Sequence, residues 1–207
     1  MSQSISAEGD FRTLVGHDIT TSKNTIDVTF ETEGDIPENG SEGAFGYGLV
    51  TGTIKGGLPE NVLALTTHLC ASDSLEQGNA PVEDCPDGVI GLLEALGFPE
   101  GTNEVHDDAT FHAHILDLKP STDACDVDGS LGLEVDLQRT LQTQNNVSPD
   151  YDVDVDSESI TVSDVPRGDL KSSSFKKASS LYFGITPQFE GNTITNLCLT
   201  QGLPAED

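Results

Sequence analysis

Val105–Lys119 reads VHDDATFHAHILDLK, and its second half alternates in a way that suits an extended strand. Successive side chains of a strand point to opposite faces. His112, His114, Leu116 and Leu118 therefore share one face, and Phe111, Ala113, Ile115 and Asp117 the other. The apolar run is too short for a capped helix. Apolar residues on both faces place such a strand inside a sheet that is covered on both sides.

Stretches on either side repeat the period of two. Thr25–Glu31 turns Ile26, Val28 and Phe30 one way and Asp27, Thr29 and Glu31 the other. Ala44–Lys55 sets Phe45, Tyr47 and Leu49 against Gly46, Gly48 and Gly52, and glycines gathered on one face signal a close backbone approach, a bend or a bulge. Asn61–Cys70 is the next strand, with His68 near its end. Ser130–Leu141 alternates most cleanly, with Leu131, Leu133, Val135 and Leu137 inward and Glu134, Asp136 and Gln138 outward. Tyr151–Asp156, Ser159–Val165, Leu181–Phe189 and Asn192–Thr200 complete the set. Pro86–Phe98 is the one convincing helix: Val89, Ile90, Leu92, Leu93 and Leu96 recur at helical spacing, and Gly97 and Pro99 end it. It is expected to cover one end of the sheets. Strands throughout, one short helix and no βαβ alternation predict an all-β fold, an antiparallel β-sandwich or jelly roll. Residues 1–24 read as an N-terminal arm or edge strand, and residues 25–207 as a single sandwich domain.

Charge is the strongest signal of the whole chain. Its 207 residues hold 36 Asp and Glu against 9 Lys and Arg, a formal net charge of −27. That excludes nucleic acid as a partner, because phosphate binding needs a cationic footprint. An anionic membrane surface is disfavoured for the same reason. No run reaches the roughly 18 apolar residues of a membrane span. The opening residues, MSQSISAEGD, lack the cationic start and apolar core of a signal peptide. Self-repulsion of this size destabilises a compact chain in dilute buffer, and salt relieves it as the Debye length falls to about 3 Å near 1 M. Disorder is excluded by the recurring period-2 spacing. Lysine is scarce, tryptophan absent, and Gly, Thr, Ser and Asp plentiful. The composition resembles that of proteins from extremely halophilic archaea and their viruses, which implies an environment rather than a family. An acidic secreted or calcium-loving protein is the alternative.

Four cysteines, Cys70, Cys85, Cys125 and Cys198, include no CxxC pair, which argues against zinc ribbons and thioredoxin-type redox sites. Of the three possible pairings, the favoured one joins Cys70 to Cys85 across a polar loop and Cys125 to Cys198, tying a mid-chain loop to the last strand. Four buried free thiols are the alternative.

His112 and His114, two apart on a strand, project to one side, the spacing at which two imidazoles reach one copper or zinc ion. His68 is the candidate third ligand, with His106, Asp107 or Asp108 as a fourth. FHAHILDL resembles the His-x-His strand of copper/zinc superoxide dismutases and of chordin-type domains over about eight residues. The other dismutase ligand motifs are absent, so the activity is not carried over. The alternative is a half-buried pair with satisfied hydrogen bonds, or a surface pair among the few near-neutral polar groups. The clusters DACDVDG and DYDVDVD do not follow the EF-hand spacing, which leaves weak, non-specific cation binding. No G-x-S-x-G, Cys–His nucleophile or nucleotide fingerprint is present. Arg167, Lys171, Lys176 and Lys177 concentrate scarce positive charge and mark an intersubunit salt contact, a site for an acidic partner, or a plain solvated loop. The sequons at Asn39 and Asn146 matter only if the chain is exported.

These readings predict a non-enzymatic structural or surface protein of an extreme halophile that requires no cofactor. A virion component fits best, such as a capsid-associated, decoration, turret or spike protein. It would form homo-oligomers and assemble with other virion or surface proteins, in the virion or at the cell surface in high salt. The alternative is a secreted or cell-surface protein holding copper or zinc through His112, His114, His68 and His106. A glycan-binding or adhesion module is a third, disfavoured because the chain has no Trp and three Tyr to stack on sugars.

Overall fold

The computed structural model describes residues 10–37, 44–50, 54–55, 58–59, 61–67, 111–143, 151–170, 175, 178–190 and 193–201. A four-stranded sheet is built from β1 (Leu14–Thr21), β2 (Thr25–Thr32), β10 (Asp152–Asp156) and β11 (Ser159–Pro166), in the order β1-β2-β11-β10. A seven-stranded sheet takes β3 (Phe45–Val50), β6 (Val62–Thr67), β7 (His112–Leu116), β8 (Leu118–Pro120), β9 (Ser130–Val135), β12 (Ser179–Glu190) and β13 (Thr193–Thr200). Its order is β7-β6-β3-β12-β13-β9-β8. Two short segments, β4 (Ile54–Lys55) and β5 (Leu58–Pro59), pair with each other. Every pairing is antiparallel.

The two large sheets pack face to face as an antiparallel sandwich. Ile26, Val28 and Phe30 of β2 and Ile160, Val162 and Val165 of β11 meet Phe45, Tyr47 and Leu49 of β3, with Leu63, Leu65, Ala113 and Ile115 beside them. The inward set expected of Thr25–Glu31 is fully buried. Tyr47 is buried among Phe30, Phe45, Phe111 and Tyr182, and its hydroxyl donates to the Phe11 carbonyl at 2.9 Å. That bond fastens the segment before β1 to the core.

The other face of the larger sheet carries a second core of Val62, Ala64, Leu116, Leu118, Val135, Phe183, Leu197 and Leu199. Strands β7 and β8 lie at opposite edges of this sheet, yet only Asp117 separates them in sequence. The sheet therefore rolls round until its two edges meet at that residue, and the second core lies inside the curl. β7 accordingly has apolar neighbours on both faces, as its residue pattern demands.

Gly46 and Gly48 make the curl possible. A Cβ on Gly46 would stand 2.6 Å from the Leu65 carbonyl oxygen, and one on Gly48 would stand 2.9 Å from Val62. The Phe183 ring lies across both positions, at 3.1 and 3.2 Å. Close approach is thus the role of these two glycines; Gly52 lies outside the described residues.

Several boundaries differ from the sequence reading. Of the two readings of the N-terminal segment, arm or edge strand, residues 14–21 follow the second, while residues 1–9 lie outside the described part. Strand β9 stops at Val135, and a helix, α1 (Leu137–Thr143), replaces the predicted continuation to Leu141. Asp136 causes the change: its carboxylate accepts the Arg139 N–H at 3.2 Å and its carbonyl accepts the Thr140 N–H at 2.8 Å, capping the helix. Leu137 keeps its place beside the second core, so alternation alone could not reveal the break. Glu134, expected to face outward, is fully buried. The helix predicted at Pro86–Phe98 lies outside the described residues.

Candidate functional site

Antiparallel pairing of β7 with β6 sets His112 opposite Thr66 and His114 opposite Ala64. The same rows continue onto Gly46 and Gly48 of β3. The two half-buried imidazoles stand on one side of β7 with centroids 4.6 Å apart and planes at 89°. The hydroxyl of buried Thr66 lies 3.4 Å from His112 Nε2 and helps fix that ring. The residues opposite them on β6, Thr66 and Ala64, have small side chains. His68 and His106, the expected further ligands, lie outside the described residues. Among the described residues no group of three or more His, Cys, Asp or Glu side chains is gathered to hold a metal ion. His17, on β1, lies elsewhere: its Nδ1 is 3.0 Å from Ser180 Oγ, joining the edge of the smaller sheet to β12.

A buried carboxylate that the sequence reading missed sits on the far side of the larger sheet. Glu134 of β9 is flanked by Lys119 on β8 and Cys198 on β13. The Lys119 ammonium lies 2.9 Å from Oε1. Oε2 accepts the Thr122 N–H at 3.2 Å, the Thr122 hydroxyl at 3.0 Å and the Asn196 amide at 3.2 Å. Burial alone pushes this carboxyl up. The hydrogen bonds from Lys119 and then Thr122 outweigh it and hold the group below the usual carboxylate range. A disulfide joins Cys125 to Cys198 with Cα atoms 5.4 Å apart. It pins the short turn Asp123–Cys125 against β9 and β13, beside this network. Cys70 and Cys85 lie outside the described residues. Only the strand register brings Lys119, Glu134 and Asn196 together, so no local motif announces them.

The seam of the curl is polar too. Asp117 is fully buried; its N–H donates to the Thr140 hydroxyl at 3.0 Å, and its carboxylate lies 3.5 Å from the Arg139 guanidinium. Asn61 precedes β6, opposite Asp117 if the register of β6 and β7 is carried one residue further. It is fully buried, and neither its amide oxygen nor its nitrogen has a hydrogen-bond partner among the described residues.

Of the expected cationic contact, Arg167 lies with its guanidinium 5.6 Å from the Phe175 ring centroid, and its N–H donates to the Asn24 carbonyl at 2.9 Å. Lys171, Lys176 and Lys177 lie outside the described residues. The outer face of the smaller sheet repeats acids and hydroxyls: Asp18, Thr29, Thr161 and Asp154 form one row across its four strands. The two edges of that sheet differ. β10 exposes Asp152, Asp154 and Asp156, whereas β1 carries a single carboxylate, Asp18, and exposes Val15 at 58 %. Val15 is the one large apolar side chain so exposed among the described residues.

Among the described residues no helix is long and apolar enough to cross a membrane. Compared with known proteins, the chain matches no family model, no curated protein and no solved structure.

Proposed function

We propose that this chain is a non-enzymatic structural protein of an outer surface in a strongly saline medium, assembling with copies of itself. A virion component, such as a capsid-associated, decoration or spike protein, is the reading that fits best. The observation that carries it is the contrast between the edges of the smaller sheet. Exposed strand edges invite pairing with another chain, and charged side chains block it. The row of aspartates guards β10. β1 has one carboxylate and an exposed valine in a chain of net charge −27, and it serves as the edge for self-assembly. The buried acids support the same reading, since Glu134 and Asp117 are engaged in contacts within the larger sheet and with α1.

Light scattering on the purified full chain in about 3 M salt, where surface charge is screened, tests the assembly. An oligomer that Val15→Asp converts to monomer is the expected result. A monomeric wild-type chain at all concentrations overturns it. Particle association is tested by density-gradient fractionation of the source culture: the chain should band with intact particles, and finding it only in the free protein fraction rules out the virion reading.

A further inference from the structure

We infer that His112 and His114 form a two-nitrogen chelate for one transition-metal ion, zinc(II) or copper(II), at the corner where β7 and β6 pair. This goes beyond the surface-protein reading and does not depend on it. The geometry is the argument. With a metal about 2.0–2.1 Å from each ring nitrogen, two imidazoles at a right angle around one ion have centroids roughly 4.5 Å apart, and at a tetrahedral angle roughly 5.2 Å apart. The observed separation is 4.6 Å. The two rings thus stand at the separation that one shared ion requires. β7 is held on both faces: Ala113 and Ile115 sit in the sandwich core and Leu116 in the second core. The spacing of the two Cβ atoms is thus fixed before any ion arrives, which lowers the ordering cost of binding. Thr66, at 3.4 Å from His112 Nε2, supplies the neighbouring oxygen that orients a metal-binding imidazole. The opposing residues on β6, Thr66 beside His112 and Ala64 beside His114, are small, and the Phe183 ring lies further along the row, over Gly46 and Gly48 of β3. Two imidazoles suit zinc and copper, whereas a site for magnesium or calcium would be all oxygen.

The test is calorimetric titration of zinc chloride, and separately copper(II) chloride, into the full chain in about 1 M sodium chloride. That salt screens diffuse attraction to the acidic surface. The expected result is one ion per chain, with affinity at least tenfold weaker in His112→Ala and in His114→Ala and no saturable binding in the double variant. His17→Ala should bind like wild type. Histidine ring resonances provide a check that needs no variant of the pair: zinc should shift two imidazoles and leave that of His17 in place. No saturable uptake by the wild-type chain, uptake retained by the double variant, or a shift confined to His17 would each overturn the inference.

Discussion

Glu134 shows how a single side chain sets a pH dependence opposite to that of the molecule around it. Its folded carboxyl titrates below the unfolded value of about 4.3. The stability it contributes is therefore present above about pH 4.3 and lost as the pH falls through the lower, folded value. Protonating the exposed acids does the reverse, because it relieves their mutual repulsion. The difference in urea midpoint between wild type and Glu134→Gln isolates the buried group: it should be constant near neutrality and shrink below about pH 4. Lys119→Met leaves the carboxylate buried beside a missing cation and should cost about 1–3 kcal/mol at pH 7. Asn61 offers the contrary case. Its buried amide lacks partners among the described residues, so Asn61→Leu, close to it in shape, should raise stability by about 1–2 kcal/mol. A loss of stability on that substitution would show that the amide is bonded in solution.

Secondary structure separates what the sequence made legible from what it hid. Strand β2 announced itself because it buries one face, and β3 because its large side chains lie on one face and its glycines on the other; a period of two follows in both. The His112/His114 pair was legible for the same reason: alternation fixes that both rings share a side. Alternation could not distinguish strand from helix at Leu137, since a residue capped by Asp136 and a continuing strand both deliver that leucine to the second core. Nor could it predict Glu134, which occupies an outward position of β9 that the turn Asp123–Cys125 covers from a distance in sequence. Long-range covering leaves no local periodicity. The glycines of β3 were legible in kind, and their purpose emerges only beside β6 and β12. Gly46→Ala should cost about 2–3 kcal/mol, because the new methyl meets the rigid Leu65 carbonyl as well as Phe183. Gly168→Ala, where an added carbon meets nothing within 4 Å, is the control and should be nearly neutral. Thermal melts of the two variants side by side decide the matter.

For the molecule as a whole, charge and covalent linkage set the working conditions. With a net charge of −27, raising sodium chloride from about 0.1 to 2 M should raise the thermal midpoint by on the order of 10 °C. Far-ultraviolet circular dichroism is the readout, since the chain has no tryptophan to report unfolding. A midpoint indifferent to salt would mean that the acids do not oppose compaction. The placement of β12 has a consequence for how such a chain is made. Tyr182 of β12 pairs with Tyr47 of β3, and Val162 of β11 with Val28 of β2. Each sheet is completed only when a late strand returns to an early one, a topology that slows folding. On the ribosome, β2 and β3 must therefore wait with bare edges while most of the chain is still being synthesised. During that wait those edges are open to pairing with a neighbouring nascent chain, until β11 and β12 emerge to cover them.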